Sequence, residues 1–560
     1  MTKYDWIAIC ACVLCACFLI WMAGRAERDK RTWFKLLWLV PVPIAFLGDL
    51  SGLTRSLVPL CLGALITAGG FFTEIAGKRR LLSGIGAGVM LTAIPCCLLD
   101  PRCHAVHYLD DFEKGFTDMQ RHYVLAEHKG IDWDALYAKY QPQFAEIDKS
   151  QDAGVNYLAW AAFCGEFYDG HVNFMPSDGD AAEKSARAAL GNDYGLVIMR
   201  CTDGSFAAVN ADESLQKYGI ANGTVITAWN GKSPDDVQKS SPMYGAAVLT
   251  ISPEKRAELG GEPDADNNIF WSASLAAGIG GETVSVQYLD ENGDRQTAEL
   301  PKIGDYADRL FAAVRTIQQG VNIGNLQWQR LDDTTVCLRI KGMFYDTKSY
   351  QSSADDANAE MVGEIRQTLM QYRESGVRDL VIDLRSNSGG SGSLVRDLVS
   401  VLAPEGEYFY TANGLWDDEH HTWATDEKGR YMAERVFTVR GEQLLGDGHI
   451  TVLVNSESVS AADHMVHLMR GMEHVTVMGF TEPNGSGQAT GGTVLESGTL
   501  IFSNCVMLDE NGEIYVDSGT DHQSGNGLDV QIPFDQAAIR ALFDEGKDYV
   551  LEWAMRNDKR

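Results

Sequence analysis

The sequence predicts a mixed core of the α+β or α/β class, which follows a small helical region and a β-rich region and is preceded by four transmembrane helices. Three observations support this fold class. Four long apolar runs lie within residues 1–100 of the 560-residue chain. Further along, apolar residues first recur at the three-to-four spacing of helices and then in short β-like runs. Residues 305–556 alternate short buried strands with helices, the pattern of a mixed core.

The four apolar runs predict a multi-pass membrane anchor over residues 1–100. They cover residues 6–24, 33–53, 56–73 and 81–99, each close to the roughly 20 residues that cross a bilayer. Three runs after the first argue against a cleaved signal peptide. Basic residues cluster after the first and third runs, so positive-inside reasoning places those loops in the cytoplasm. We therefore expect the lipid bilayer as a partner, a location at the cell membrane and an extracytoplasmic body.

Charge and cysteine usage exclude several classes of protein. The net charge is −30, although residues 1–100 are slightly basic. Nucleic acid is not expected as a partner, because phosphate binding requires clustered Lys and Arg. The five cysteines after residue 100 show no CxxC spacing, and no HExxH motif occurs. We expect no cofactor and no metal, and we interpret the acidic and histidine-rich stretch 417–421 as a loop.

Residues 105–187 predict a helical region. Apolar residues recur at helical spacing in 133–140 and 155–167, and Asp132 and Asp152 are candidate N-caps. The region ends in the turn Asp169-Gly170-His171.

Residues 188–303 predict a β domain with turns at Asn230-Gly231 and Asn292-Gly293. The run 218–232 resembles the second half of a PDZ domain. This resemblance implies a peptide-binding loop and strand at Gly195, Leu196 and Val197, where an extended peptide adds to a sheet edge. The alternative is a spacer of the same shape that binds no ligand.

Two segments of residues 305–556 carry the chemistry. In 380–390 a buried strand runs into a glycine turn, whose backbone N–H groups can approach a ligand without a side chain in the way. In 450–463 a strand leads through Ser456, Ser458 and Ser460 into a helix. A serine at a strand-to-helix turn is exposed, and the N-terminus of the helix favours developing negative charge.

These segments resemble the C-terminal processing (tail-specific) serine protease family, which carries a DLRxNxGG strand-turn followed by an SxSAxE-type segment. Residues 383–390 read DLRSNSGG and residues 458–463 read SVSAAD. The resemblance covers roughly residues 105–555. It implies Ser460 as nucleophile and an oxyanion hole formed by the N–H groups of Ala461 and of Gly389 or Gly390.

The chain departs from this family in its catalytic base. The family uses a lysine about 25 residues after the serine, but residues 461–546 contain none; Gly485 or Ser486 falls near that place, and Lys547 is a poor candidate. The tricorn-like branch of the fold uses a Ser–His–acid arrangement instead. That resemblance implies His171 as base, with an imidazole suited to both taking and returning a proton. His464 and His467 are the alternatives.

The same branch implies a carboxylate shortly before the final strand. We predict Asp517, with Glu513 and Asp521 as alternatives. Two other acids have structural interpretations: Asp383 is expected to fix the glycine turn, and Asp463 to support the start of the helix.

The sequence thus predicts a membrane-anchored serine endopeptidase that cleaves extended polypeptide substrates on the extracytoplasmic side. The alternative is a catalytically silent peptide-binding or sensory module on the same fold, which the missing lysine favours.

Overall fold

The computed structural model describes residues 105–557, with the exception of Tyr168, Asp418 and the segments 240–280, 319–324, 345–353, 420–421 and 518–525. The four apolar runs of residues 1–100 therefore lie outside the described residues. So do Asp521 and three members of the stretch 417–421.

The predicted fold class was wrong in including four transmembrane helices. In the described part of the chain, no helix has both the length and the apolar character needed to cross a bilayer. The fold that the structure supports is a mixed α/β core with a helical start and a β-rich region.

Helices and strands alternate after this helical start. The described helices are α1 (Tyr108–His122), α2 (Trp133–Ser150), α3 (Ala153–Gly165), α4 (Gly179–Leu190), α5 (Pro234–Lys239), α6 (Tyr306–Gln318), α7 (Ala354–Glu374), α8 (Gly392–Leu402), α9 (Ala461–Met469), α10 (Gln536–Phe543) and α11 (Tyr549–Asn557). The described strands are β1 (Asn173–Pro176), β2 (Asn192–Asp193), β3 (Val197–Arg200), β4 (Phe206–Val209), β5 (Ile226–Trp229), β6 (Thr283–Leu289), β7 (Arg295–Pro301), β8 (Gly304–Asp305), β9 (Leu326–Arg330), β10 (Thr335–Ile340), β11 (Asp379–Asp383), β12 (Gly406–Gly414), β13 (Trp416–Asp417), β14 (Thr422–Trp423), β15 (Ala433–Gly441), β16 (Ile450–Val454), β17 (Val475–Gly479), β18 (Ala489–Val494), β19 (Gly498–Cys505), β20 (Met507–Leu508) and β21 (Val530–Gln531).

The first helices begin at the predicted caps. The Asp132 carboxylate accepts the N–H of Ala135, and the Asp152 carboxylate accepts those of Gly154 and Val155, which satisfies donors that a helix start leaves unpaired. Both predicted caps are confirmed. Aromatic rings hold α1, α2 and α3 together, with the rings of Phe112 and Phe144 stacked at 4.5 Å.

The β-rich region consists of small antiparallel sheets. Strand β3 pairs with β4, and β5, β6 and β7 form a three-stranded sheet. The predicted turns at Asn230-Gly231 and Asn292-Gly293 are confirmed, since Asn230, Gly231 and Gly293 have the positive φ values that such turns require. Helix α6 follows this region and packs against β3.

A six-stranded sheet in the order β21-β17-β16-β11-β10-β9 forms the core. All its strands are parallel except β9. Alternate residues of one strand face opposite sides: Leu380 and Ile382 of β11 join the apolar cluster that includes α7, α8 and α9, whereas Val381 joins the cluster that includes α6, α10 and α11. Burial on both sides explains why these strands are short apolar runs.

Parallel strands bring the two segments singled out in the sequence together. Strand β11 leads into the glycine turn and the adjacent β16 leads into Ser460, and both leave the sheet at its carboxyl edge, where open α/β sheets commonly bind ligands.

A second sheet, in the order β1-β19-β18, lies beside this edge. Strands β1 and β18 both run antiparallel to β19, so they are parallel to each other. Asn173 of β1 pairs with Ile501 and Thr490 of β18 pairs with Ser503. Both outer strands therefore begin at the same end of the sheet, although their residues are more than 300 positions apart.

Candidate active site

Ser460 lies at a sharp turn between β16 and α9. Its φ of 65° and ψ of −118° are unusual for a residue with a side chain, and such a conformation costs about 1–3 kcal/mol unless the surroundings impose it. The residue is half-buried, and it is the N-cap of α9. This strained strand-to-helix turn is the geometry that exposes a nucleophilic serine.

Asp463 holds this turn in place. Its buried carboxylate accepts the N–H of Ser460 at 3.0 Å, that of Gly485 at 2.9 Å and that of Ser486 at 3.3 Å. Burial raises the pKa of Asp463 to about 7, and the backbone donors oppose that rise. Asp463 supports the helix start as predicted, and it also connects the segment 485–486 to Ser460.

The glycine turn lies directly against Ser460. A methyl group on Gly389 would lie 2.6 Å from the Cβ of Ser460, and Gly389 has a φ of 82°. The Gly389 N–H already donates to Oδ1 of Asn387 at 2.9 Å. The N–H groups of Gly390 and Ala461 have no hydrogen-bond partner among the described residues. Of the three predicted oxyanion donors, these two are therefore available in this arrangement.

Ser486 connects the backbone beside His171 to the backbone of Ser460. The Oγ of Ser486 accepts the N–H of Gly170 at 2.8 Å, and its carbonyl oxygen accepts the N–H of Ser460 at 3.1 Å. Gly170 precedes His171, which lies two residues before β1, and Ser486 lies three residues before β18. The shared end of the second sheet thus brings together residues that the sequence separates widely.

The His171 imidazole is buried. Burial lowers its pKa, and the nearby Asp169 carboxylate and a backbone contact at Gln488 partly oppose that shift. The ring is therefore neutral near neutral pH, the form that can accept a proton. Its Nδ1 atom is buried and has no partner in the described part of the structure.

Asp517 faces the same segment from the other side. Its Oδ2 accepts the N–H of Gly487 at 3.1 Å, and its backbone bridges to Ser486. Burial and the Asp169 carboxylate raise the pKa of Asp517 well above its usual range. Its Oδ1 is buried and, like Nδ1 of His171, has no partner among the residues described.

The predicted triad is thus gathered around the segment 486–488. No hydrogen bond joins Ser460, His171 and Asp517 to one another within the described residues. The buried Nδ1 of His171 can donate a hydrogen bond and the buried Oδ1 of Asp517 can accept one, and each lacks a partner among the described residues.

Comparison with protein families shows the enzyme class of this chain. Residues 339–518 match the model of peptidase family S41. The chain is a serine-type peptidase. Residues 105–153 of the peptidase also match the model of the Tricorn protease C1 domain.

The fold of the peptidase is similar to that of mature CPAF, at 14% identity over 81% of this chain and 98% of that chain, with a TM-score of 0.50. It also matches the photosystem II D1 C-terminal processing protease, at 14% identity over 79% and 98% of the two chains, with a TM-score of 0.32. A putative peptidase from Parabacteroides merdae matches at 14% identity over 80% and 96%, with a TM-score of 0.41. No protein with a curated function matches the chain significantly.

The prediction of a serine peptidase is confirmed by the family match. The resemblance to the processing proteases and their tricorn-like relatives is confirmed as a family likeness, whereas the membrane anchor is not supported.

Both ring nitrogens of His464 have hydrogen-bonding neighbours. Its Nε2 is 2.6 Å from the carbonyl oxygen of Gly487, and its Nδ1 is 3.0 Å from the hydroxyl of Tyr410. The Tyr410 hydroxyl also lies 3.0 Å from the carbonyl oxygen of Gly392. Burial lowers the pKa of His464 to about 4. Because both ring nitrogens are engaged, His464 has no free nitrogen for the Ser460 proton.

His467, Lys547 and Glu513 are all exposed residues. His467 lies on α9, with its ring against Tyr515 at 4.8 Å. Lys547 pairs with Glu545, and Glu513 lies in a turn. Asp521, the remaining candidate for the acid, lies outside the described residues.

Sequence reasoning missed Asp169 and Ser486 as structural partners of the site. The buried Asp169 carboxylate accepts the N–H of His171 at 2.8 Å, together with hydroxyl groups of Tyr123 and Ser503. Its position two residues before His171 was the available signal. Ser486 lies near the position where the resemblance implied a lysine. Its contacts depend on the register of β1 and β18 on β19.

Asp383 fixes the end of β11 through a buried ionic cluster. Its carboxylate accepts from Arg385 at 2.9 and 2.7 Å and from Nε of Arg339 at 2.6 Å. Both arginines also bind Asp548, just before α11. The two arginines lower the pKa of Asp383 against its burial, and they lower that of Asp548 to about 2. Asp383 thus has the structural role that we expected.

The predicted peptide-binding residues Gly195, Leu196 and Val197 are all buried. The N–H of Gly195 donates to Oδ1 of Asp193 at 2.7 Å, and Arg309 of α6 donates to the same carboxylate at 2.7 and 2.8 Å. In this structure the N–H of Gly195 is therefore occupied by a carboxylate of the same chain. Peptide binding there stays a prediction.

Proposed function

We propose that the peptidase is an endopeptidase that cleaves extended polypeptides, with Ser460 as nucleophile and His171 as its base. The observation that carries this proposal is the double use of Ser486, which binds the backbone of Ser460 through its carbonyl oxygen and that of Gly170 through its hydroxyl. No lysine is available for the role among the described residues that follow Ser460, because Lys547 is exposed and paired elsewhere.

We assign the roles by analogy with other Ser–His–acid arrangements. The neutral His171 takes the Ser460 proton as Oγ attacks the scissile carbonyl carbon, and it returns that proton to the leaving amine. The N–H groups of Gly390 and Ala461 stabilise the developing oxyanion, a contribution of about 3 kcal/mol per donor in other proteases. Asp517 orients the imidazole by accepting from Nδ1.

A fluorophosphonate probe tests the nucleophile without knowledge of the substrate. The wild-type protein should be labelled, and Ser460→Ala should abolish both labelling and cleavage of a casein substrate. Ser458 is the matched control: its hydroxyl donates to the carbonyl oxygen of Leu384 at 2.8 Å inside the fold. Ser458→Ala should lower stability while the folded fraction is still labelled. Absence of labelling in the well-folded wild type would support the alternative, a catalytically silent binding module.

The base is tested by His171→Ala, which should lower turnover by several orders of magnitude with the fold intact, whereas Lys547→Ala should have almost no effect. Near-normal cleavage by a folded His171→Ala protein would overturn the assignment.

The extracytoplasmic location is a separate proposal. Its support is the distribution of basic residues in 1–100. Protease added to intact cells should digest the catalytic body, and full protection of that body would contradict the proposal.

A further inference from the structure

Strand β18 leaves the candidate active site and forms an open edge of the second sheet. It begins one residue after Gln488, and it has a neighbour, β19, on one side only among the described strands. Ala489, Thr490, Gly492 and Val494 are exposed, whereas Thr493 is buried. The side chain of Val494 is 71% exposed, the most of any large apolar side chain in the described part of the chain.

The register shows which backbone groups face the open side. At the end of the hairpin the N–H of Leu495 donates to the carbonyl oxygen of Gly498, so this pair is hydrogen-bonded. Hydrogen-bonded and non-hydrogen-bonded pairs alternate in antiparallel strands. Gly491 and Thr493 therefore bond to β19, whereas Thr490, Gly492 and Val494 direct their N–H and C=O groups outward. Of these outward groups, the Val494 carbonyl accepts from Nζ of Lys114 at 2.7 Å.

Apart from a register irregularity between Ala489 and Thr490, this edge lacks the devices by which proteins protect exposed edges. Natural edge strands carry charged residues, proline or bulges, and here the neighbouring edges follow that rule. Strand β1 ends in Pro176, β9 ends in Arg330, and β15 carries Arg435 and Arg440. Strand β18 reads ATGGTV, without charge, proline or a bulky side chain before Val494.

We propose that the open edge of β18 is the docking strand for the polypeptide substrate, which adds to it as an extended strand while its scissile bond lies at Ser460. This proposal rests on the proposed function, and it names the substrate site. Thr490 lies four residues after Ser486, which contacts Ser460, so the chain between them spans at most about 14 Å. A substrate bound at Ser460 thus reaches the open edge within a few residues.

The far end of the strand limits the length of this contact. Lys114 covers the outward carbonyl of Val494. Beyond it lies a cavity of about 370 Å³ lined by His107, Asp110, Asp111, Lys114, Leu495 and Glu496, together with Val494. The substrate strand pairs with residues 490–494 and its side chains meet Val494 and this cavity.

A series of depsipeptides tests the docking strand, because replacing one amide of a substrate by an ester removes one N–H donor and leaves the enzyme untouched. Donors of an added strand face the edge at every second residue. Esters at alternate positions on one side of the scissile bond should therefore lower kcat/KM about fivefold to tenfold, the effect of one lost hydrogen bond. Esters at the intervening positions should have little effect. A profile without this period of two would overturn the proposal.

Two variants extend the test. Val494→Asp should lower kcat/KM for peptides long enough to reach Val494 and have a smaller effect on shorter ones. Val436→Asp is the matched control on β15, where Val436 is 55% exposed, and it should leave both peptides unaffected. Equal effects of Val494→Asp on short and long peptides would contradict docking along β18.

The results of these experiments distinguish failure of the proposed function from failure of the docking proposal. A protein that is neither labelled by fluorophosphonate nor active fails the proposed function. A labelled and active protein with a flat ester profile fails the docking proposal alone. If sedimentation shows a dimer that Val494→Asp dissociates, and the ester profile is flat, the edge binds a second copy and not the substrate.

Discussion

Ser486 shows how few contacts assemble this site. Its hydroxyl accepts the N–H of Gly170, beside the proposed base, and its carbonyl oxygen accepts the N–H of Ser460, the proposed nucleophile. The position where related proteases are expected to carry a lysine is thus filled by a small residue that connects the backbone at Gly170 to that at Ser460. Burial, together with the Asp169 carboxylate, then shifts the pKa values of His171 and of Asp517.

The first prediction concerns pH. Since burial lowers the pKa of His171 below 6.5, kcat/KM should fall with acid through an ionisation below that value, because the protonated ring cannot accept the Ser460 proton. The Asp169 carboxylate opposes the lowering, so Asp169→Asn should move this acid limb to still lower pH. A pH–rate profile of the variant measures the shift.

The exposed Glu513→Gln should leave the profile of the wild type unchanged. A shift of the Asp169→Asn profile towards higher pH would show that another group limits the rate. The same pKa shift has a consequence for stability: as pH falls below about 6.5, the unfolded chain binds a proton that the folded His171 resists, so folded stability declines. Rates should therefore be compared where circular dichroism shows the fold to be intact.

At the scale of elements, the glycine turn after β11 packs closely against the turn before α9. Gly389→Ala should abolish fluorophosphonate labelling, because its methyl group would lie 2.6 Å from Cβ of Ser460. Gly429 is the matched control, since its φ of 79° is similar but its Cβ position is open. Gly429→Ala should cost about 1 kcal/mol of stability and retain labelling. Labelling of Gly389→Ala at the wild-type rate would contradict the close approach of the two turns.

A second connection between elements is a chain of hydrogen bonds. It runs from Gly392 through the side chains of Tyr410 and His464 to Gly487. It joins the start of α8, directly after the glycine turn, to the segment that binds Asp517. Tyr410→Phe removes the hydroxyl and should lower kcat roughly tenfold, about 1.4 kcal/mol, with little change in KM. Tyr408→Phe is the control on the same strand, because the Tyr408 hydroxyl binds Pro404 outside the site; its kcat should stay at the wild-type value. A change in KM alone for Tyr410→Phe would assign this chain of hydrogen bonds to substrate binding.

At the scale of the whole molecule, the ionic cluster ties the core sheet to the C-terminal helix. Asp548→Ala should destabilise the fold by about 3–5 kcal/mol, because it leaves the buried Arg385 with Asp383 as a shared partner and one guanidinium face unpaired. The exposed pair of Glu552 and Arg556 is the control, and Glu552→Ala should change stability by less than about 0.5 kcal/mol. Urea unfolding of both variants measures the difference, and equal losses would mean that the cluster is not a stabilising link.

The sequence predicted the parts of the site that are local in the chain. The Asp132 and Asp152 caps, the glycine turn and the strand-to-helix position of Ser460 depend on neighbours within a few residues. The contact of Gly170 with Ser486 depends on the register of β1 and β18 on β19, which no short pattern encodes. Likewise, the contact of Arg309 on α6 with Asp193, which accepts the N–H of Gly195, follows from packing between distant segments. The four transmembrane helices were predicted from hydropathy alone and were not supported.

The cluster around Asp548 also bears on the biosynthesis of the enzyme. During translation the strands that carry the glycine turn and Ser460 emerge well before the residue that completes the pairing of Arg385. Until the ribosome has passed Asp548, the turn beside Ser460 rests on an arginine that lacks half of its partners. We therefore expect a chain that has not yet extended to Asp548 to react with fluorophosphonate more slowly than the complete peptidase.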